Sequence, residues 1–183
     1  MYSNLEDLLR RGIIDEDRIN REGHKTLVDL RKELLETEVV IMEVFRNGVL
    51  RAARFAMSSR VLIMCGNAQL VEVARTYHRT GQTVYNRKDH TVSETRKRDM
   101  EDDEKCAIRG LREELKFEVP PDKKLVRLSN LPISYEHEST VYPGLLSMGY
   151  RTDFALTLEE RIYPDGVTFS DVGNDVHLQW EIV

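Results

Sequence analysis

Cys106-Ala107-Ile108-Arg109-Gly110-Leu111-Arg112-Glu113-Glu114-Leu115-Lys116-Phe117 is the stretch on which the fold turns. At 3.6 residues per turn, Ile108, Leu111 and Leu115 form one apolar stripe of a helix. The same spacing predicts Cys106, Gly110, Glu113 and Glu114 on the opposite side. A helix anchored by one face would then present a pair of carboxylates. Hard divalent cations take oxygen ligands of this kind and usually share them with substrate phosphates. Arg109 precedes Glu113 by four residues, a spacing that lets the guanidinium fix that carboxylate. An exposed helix face bearing an Arg–Glu pair reads the same way.

Working outward, the five acids Asp99, Glu101, Asp102, Asp103 and Glu104 suit the start of this helix, where the macrodipole favours negative charge. Upstream of them, residues 75–98 hold seven Lys/Arg, namely Arg75, Arg79, Arg87, Lys88, Arg96, Lys97 and Arg98, against Asp89 and Glu94. This segment reads as a solvated loop or as a phosphate-collecting flap, since clustered cations with interleaved aromatics suit nucleotides. Arg75, Arg87, Lys88 and Arg96 are the candidate substrate contacts. Thr91-Val92-Ser93-Glu94 has capping-box spacing and predicts an early helix start.

Before this lie two expected β-hairpins. Val39–Phe45 and Val49–Met57 flank Asn47-Gly48, a pair that tolerates the positive φ of a tight turn. Arg60–Cys65 and Gln69–Ala74 flank Gly66-Asn67. Two helices come first. Ser3-Asn4-Leu5-Glu6 has capping-box spacing and Gly12 reads as a stop. Thr26–Glu36 carries Leu27, Leu30 and Leu34 on one face. Residues 1–36 are therefore expected as a helical extension that packs on the domain or mediates assembly, including a homodimer or a protein partner. After the central helix, strands are expected at Leu125–Leu128, Gly149–Leu158 and Val176–Val183.

With its pattern of strands, loop, helix and strands, the chain resembles the Nudix superfamily, most clearly over residues 58–183. The family's box runs Gly, five residues, Glu, seven residues, then Arg-Glu-apolar-x-Glu-Glu-x-Gly-apolar. Glu101, Arg109, Leu111, Glu113, Glu114 and Phe117 match it. Thr95 and Lys116 stand where glycines are expected, and Gly110 stands where the family carries a metal-binding glutamate. The Pro-Gly-Gly segment that precedes the helix in the family is absent.

The resemblance implies an α+β fold, a Nudix-like α/β/α sandwich with a mixed central sheet over residues 37–183, preceded by the extension 1–36. It implies Glu113, Glu114 and Arg109 as catalytic residues. It also implies Mg²⁺ or Mn²⁺ held by Glu113 and Glu114, with Glu159 or Glu160 as a further ligand. Loss of the carboxylate at Gly110 implies weak metal binding. Three functions follow: a binder of a nucleoside-diphosphate-type ligand or RNA with hydrolysis weak or lost, a working hydrolase with a substitute ligand, or a structural subunit. A glycine at 110 costs roughly 1 kcal/mol of helix stability relative to alanine, so it needs a packing or ligand reason.

Composition sets the outer limits. The chain has 183 residues, is 40% hydrophobic and 32% charged, and has a net charge of −5. That favours a folded domain with no global attraction to nucleic acid or to an anionic membrane. No apolar run reaches the roughly 18 residues of a membrane span. Cys65 and Cys106 lack partners at metal spacing, and Met1–Asp7 lacks the pattern of a secretory signal, so an intracellular, cytoplasmic location is the default expectation, ahead of an organelle matrix. The histidines fit no metal triad, and no serine has the His/Asp neighbours of a nucleophile.

Overall fold

The computed structural model describes residues 4–20, 24–78, 81–87, 92–98, 100–171 and 174–183, and only the backbone of Asn86, Arg87, Asp171 and Asn174. It is an α+β protein with a mixed, largely β-sheet core. The chain forms two compact units. Unit 1 is Met1–Ser58, Thr95–Asp102 and Ile133–Arg151, and unit 2 is Ser59–Glu94, Asp103–Pro132 and Thr152–Val183. Among the described residues no helix is long and apolar enough to cross a membrane.

Unit 1 opens with α1 (Leu5–Arg10), α2 (Glu16–Ile19) and α3 (Leu27–Leu35). The expected first helix is present, but its cap is Asn4, whose side chain accepts from the Glu6 and Asp7 amides. Gly12 at φ +68° follows its end. Thr26 and Asp29 form the capping box of α3, satisfying two otherwise orphaned amides. The short α2, capped by Asp15, was not legible as a period because it is a single turn.

The apolar faces of these helices are spent on unit 1's own core. Leu8, Ile19, Leu27 and Leu30 cluster with Val39, Ile41, Ala56, Tyr142 and Leu145. The first hairpin forms as expected from β1 (Val39–Arg46) and β2 (Val49–Cys65), with Arg46 opposite Val49. Asn47 and Gly48 take φ of +51° and +79° at its turn. The expected break at Ser58-Ser59 is absent, and β2 runs on through both units. A polar knot ties α3 down. Glu33 receives Lys25 Nζ at 2.7 Å, Arg54 Nε at 2.7 Å and the Tyr142 hydroxyl at 2.9 Å. Burial alone would raise the Glu33 pKa, but Arg54 and Lys25 outweigh it and hold the carboxyl below its ordinary range. β7 (Ile133–Glu138) pairs antiparallel with β8 (Leu146–Leu158), whose first part belongs to this unit.

In unit 2, β3 (Ala68–Tyr77) turns back on β2 through Gly66-Asn67 and carries β4 (Gln82–Arg87) and β10 (Asn174–Ile182) as antiparallel neighbours. β9 (Val167–Asp171) extends the sheet beyond β10, and β6 (Val126–Arg127) borders β8. The strands expected in the C-terminal third are β6, β8 and β10, and β7 and β9 are additional. β2 and β8 run parallel here. Arg60 meets Asp153, and the Cys65 Sγ donates to the Glu159 carbonyl, so both chains advance together. β5 (Val92–Thr95) replaces the expected helix start at Thr91–Glu94: Val92 is buried in the core and strand pairing outweighs local capping spacing. The helix α4 (Asp103–Leu115) packs Ala107, Leu111 and Leu115 against Val61, Ile63, Leu156 and Leu178.

Candidate functional site

α4 is fixed at both ends. The Asp103 carboxylate accepts from the Thr152 hydroxyl at 2.8 Å and from Arg127 at 3.2 Å, and the Ser59 hydroxyl donates to the Asp103 carbonyl at 2.7 Å. At the other end the Tyr163 hydroxyl donates to the Leu115 carbonyl at 2.6 Å. The Phe117 amide reaches back to the Leu111 carbonyl at 3.1 Å, and Lys116 takes φ +53°. This is a left-handed helix cap, the geometry for which glycine is the usual choice. Lys116 thus makes a turn for which a side chain with a Cβ is an uncommon choice.

The buried side of α4 is wider than the stripe Ile108–Leu111–Leu115. Cys106 and Gly110, expected opposite it, are buried, while Ile108 is only partly so. The reason is β5. A Cβ on Gly110 would lie 2.8 Å from the Glu94 Cβ and 3.1 Å from Val92 Cγ1. The Cys106 thiol donates to the Glu94 carbonyl at 3.4 Å. The glycine is there for close approach of helix and strand. Glu113 is exposed and Glu114 partly buried, and two cavities of about 530 and 390 Å³ are lined by other residues.

Around Glu113 the structure gathers an ionic cluster. Arg109 Nη1 lies 3.1 Å from Glu113 Oε2 and 3.4 Å from Glu94 Oε1. On β3, Arg75 is bidentate to Glu72 at 3.0 and 2.9 Å, and Glu72 is almost wholly buried. These two residues share a side because of a β-bulge: the register with β10 shifts between His177 and Leu178, leaving Val73 unpaired. Burial opposes the Arg75 charge, yet hydrogen bonding to Glu72 and the fields of Glu72 and Glu114 raise its pKa. Glu114 therefore lies within electrostatic reach of Arg75. Two ionic groups thus lie in unit 2, Arg109 with Glu94 and Glu113, and Arg75 with Glu72 in the field of Glu114.

Other expected residues lie elsewhere. Glu159 follows β8, is exposed and accepts from Lys123 Nζ at 2.7 Å, and Glu160 beside it is exposed. Glu101, in unit 1, accepts the Lys97 amide at 2.8 Å and so closes a local turn. Arg96, also in unit 1, directs its guanidinium to the Met57 thioether. Lys88 and the side chain of Arg87 lie outside the described residues. Among the described residues no group of three or more His, Cys, Asp or Glu is placed to hold a metal ion. Arg109 engages one oxygen each of Glu94 and Glu113, and Arg75 engages both oxygens of Glu72.

Sequence reasoning missed Glu72 and Glu94 as members. Glu72 had a readable signal, being the lone charge in the apolar run Leu70-Val71-Glu72-Val73-Ala74. Glu94 was hidden by its capping-box spacing. No family model matches the chain, and no curated protein matches it.

Proposed function

We propose that the chain is a Nudix-like protein that binds a nucleoside-diphosphate-type ligand at the ionic cluster of unit 2, with hydrolysis weak or lost. The observation that carries this reading is the double engagement of Arg109 by Glu94 and Glu113, beside a Gly110 with no room for a carboxylate. Guanidiniums neutralise carboxylates that a hydrolase would give to metal. Those same forks match phosphate oxygens and are released to a diphosphate when it arrives. Mg²⁺ or Mn²⁺ would enter with the diphosphate, whose oxygens supply ligands the protein lacks.

One observation favours a working hydrolase as the second reading. Glu94 and Glu113 converge on a single Arg109 nitrogen, so Glu94 is the carboxylate best placed to substitute for the family glutamate. In that reading Glu94 and Glu113 would hold a divalent ion, which would supply charge neutralisation for hydrolysis of the diphosphate.

The test is calorimetry with ADP, a nucleoside diphosphate sugar and a single-stranded RNA, with and without Mn²⁺, alongside product analysis. Saturable binding of the diphosphates with turnover near background is expected. Rapid turnover moves the assignment to the hydrolase, binding of RNA alone moves it to an RNA-binding role, and binding of none of them overturns the reading.

A further inference from the structure

Unit 1 contains an open surface cavity of about 530 Å³. One wall is the turn 139–145, which is fixed from beneath. Tyr142 is fully buried in the unit 1 core. The Ser139 amide donates to the Leu145 carbonyl at 2.9 Å, and the Leu145 amide to the Tyr142 carbonyl at 3.1 Å. The Tyr142 amide donates to Ser139 Oγ at 3.0 Å, which leaves the Ser139 hydroxyl hydrogen to be given elsewhere. The neighbouring Thr140 hydroxyl makes no hydrogen bond among the described residues. His24 Nδ1 lies 3.2 Å from the Thr140 carbonyl, which can only accept, so Nδ1 carries the hydrogen.

Two arginines complete the wall, and they differ. Arg51 is bidentate to Glu138, so that pair is neutral. The Arg18 guanidinium makes no hydrogen bond or ion pair among the described residues and acts on Glu138 only through its field. Its stem lies over Gly144, at φ +95°, where a Cβ would come within 3.1 Å of Arg18 Cδ. The glycine both makes the turn and gives the arginine its bed.

We propose that this cavity binds a phosphate-bearing small molecule, its phosphoryl group held by the Arg18 fork and the Ser139 and Thr140 hydroxyls. Arg18 and Arg51 against Glu138 leave the wall with one net positive charge. A guanidinium fork engages both oxygens of a planar carboxylate, whereas a phosphoryl group keeps a third oxygen, out of that plane, for the hydroxyls. The volume leaves room for the rest of the molecule. Nothing here depends on the ionic cluster of unit 2.

The test uses the full chain at constant ionic strength, titrated with inorganic phosphate, ribose 5-phosphate and acetate, followed by calorimetry and by the amide resonances of Thr140 and Gly144. Both phosphates should saturate and shift those resonances. Arg18→Gln should weaken them about tenfold, the loss of one charge-assisted contact, with an unchanged melting midpoint. Thr140→Val should weaken them less. Failure of both phosphates to saturate, or equal binding by Arg18→Gln, overturns the site. Acetate binding as tightly as phosphate overturns the phosphate assignment.

Discussion

Gly110 of α4 and Glu94 of β5 meet so closely that a methyl carbon on the glycine would sit 2.8 Å from the Glu94 Cβ. The obstructing atom is close to the backbone and cannot swing away. Gly110→Ala should therefore destabilise the protein although alanine is the better helix former. Overpacking costs about 1–3 kcal/mol and propensity returns about 1 kcal/mol, leaving a net loss of about 1 kcal/mol. A denaturant midpoint equal to or above that of the parent would show that helix and strand are not in contact. Gly110→Glu should cost more and should not restore cation binding.

The Arg109 guanidinium lies between Glu94 and Glu113, 3.4 Å from the first and 3.1 Å from the second. Arg109→Gln should raise Mn²⁺ affinity by about tenfold, since it removes a positive charge a few ångströms from both carboxylates and Glu113 is solvent-screened. Calorimetry of the two proteins decides this. Equal affinities would mean that the guanidinium is not what keeps metal out.

Glu33 makes stability depend on acid. Its folded pKa lies below the ordinary glutamate range, so its contribution is complete above the unfolded pKa and is lost as pH falls through the folded one. Thermal melts of the parent should steepen downward in that range, and Glu33→Gln should flatten the slope. At neutral pH the same variant should lose about 3 kcal/mol, because Arg54 is left buried without its partner. A parallel slope in both proteins would assign the acid sensitivity to other carboxylates.

Lys116 holds φ +53° at the end of α4. Lys116→Gly should stabilise by about 0.5–1 kcal/mol, a rise of roughly 2 °C in Tm, because glycine adopts the left-handed region without a Cβ penalty. The Lys116 Nζ bond to the Glu113 carbonyl, exposed at 2.8 Å, subtracts little. A lower Tm would assign that bond more weight than the backbone strain.

What the sequence revealed and what it hid separate along physical lines. Asn47-Gly48 and Gly12 act within a few residues, and the structure has them as read. Features decided by distant partners were hidden. Ser58-Ser59 looks like a break, but the Ser59 hydroxyl is satisfied by the Asp103 carbonyl and the strand continues. Val92 and Glu94 look like a helix start, but they form the surface on which Gly110 rests. The carboxylate pair on α4 was legible from its spacing. The arginine and glutamate partners on β3 and β5 were not, because a bulge and a helix–strand contact bring them in.

Each unit is assembled from three separate stretches of chain, interleaved with those of the other, and β2 and β8 pass through both. Neither can be excised as a fragment, since any single cut removes a strand or a helix from at least one core. During synthesis, β2 emerges long before β8, its parallel neighbour, with residues 60 and 153 among those that must find each other. Loop closure over that span precedes any reward from pairing, which slows folding. The nascent chain must leave the β8 side of β2 without its partner until its last third appears, so premature termination within residues 66–145 should yield aggregation rather than a half-folded product.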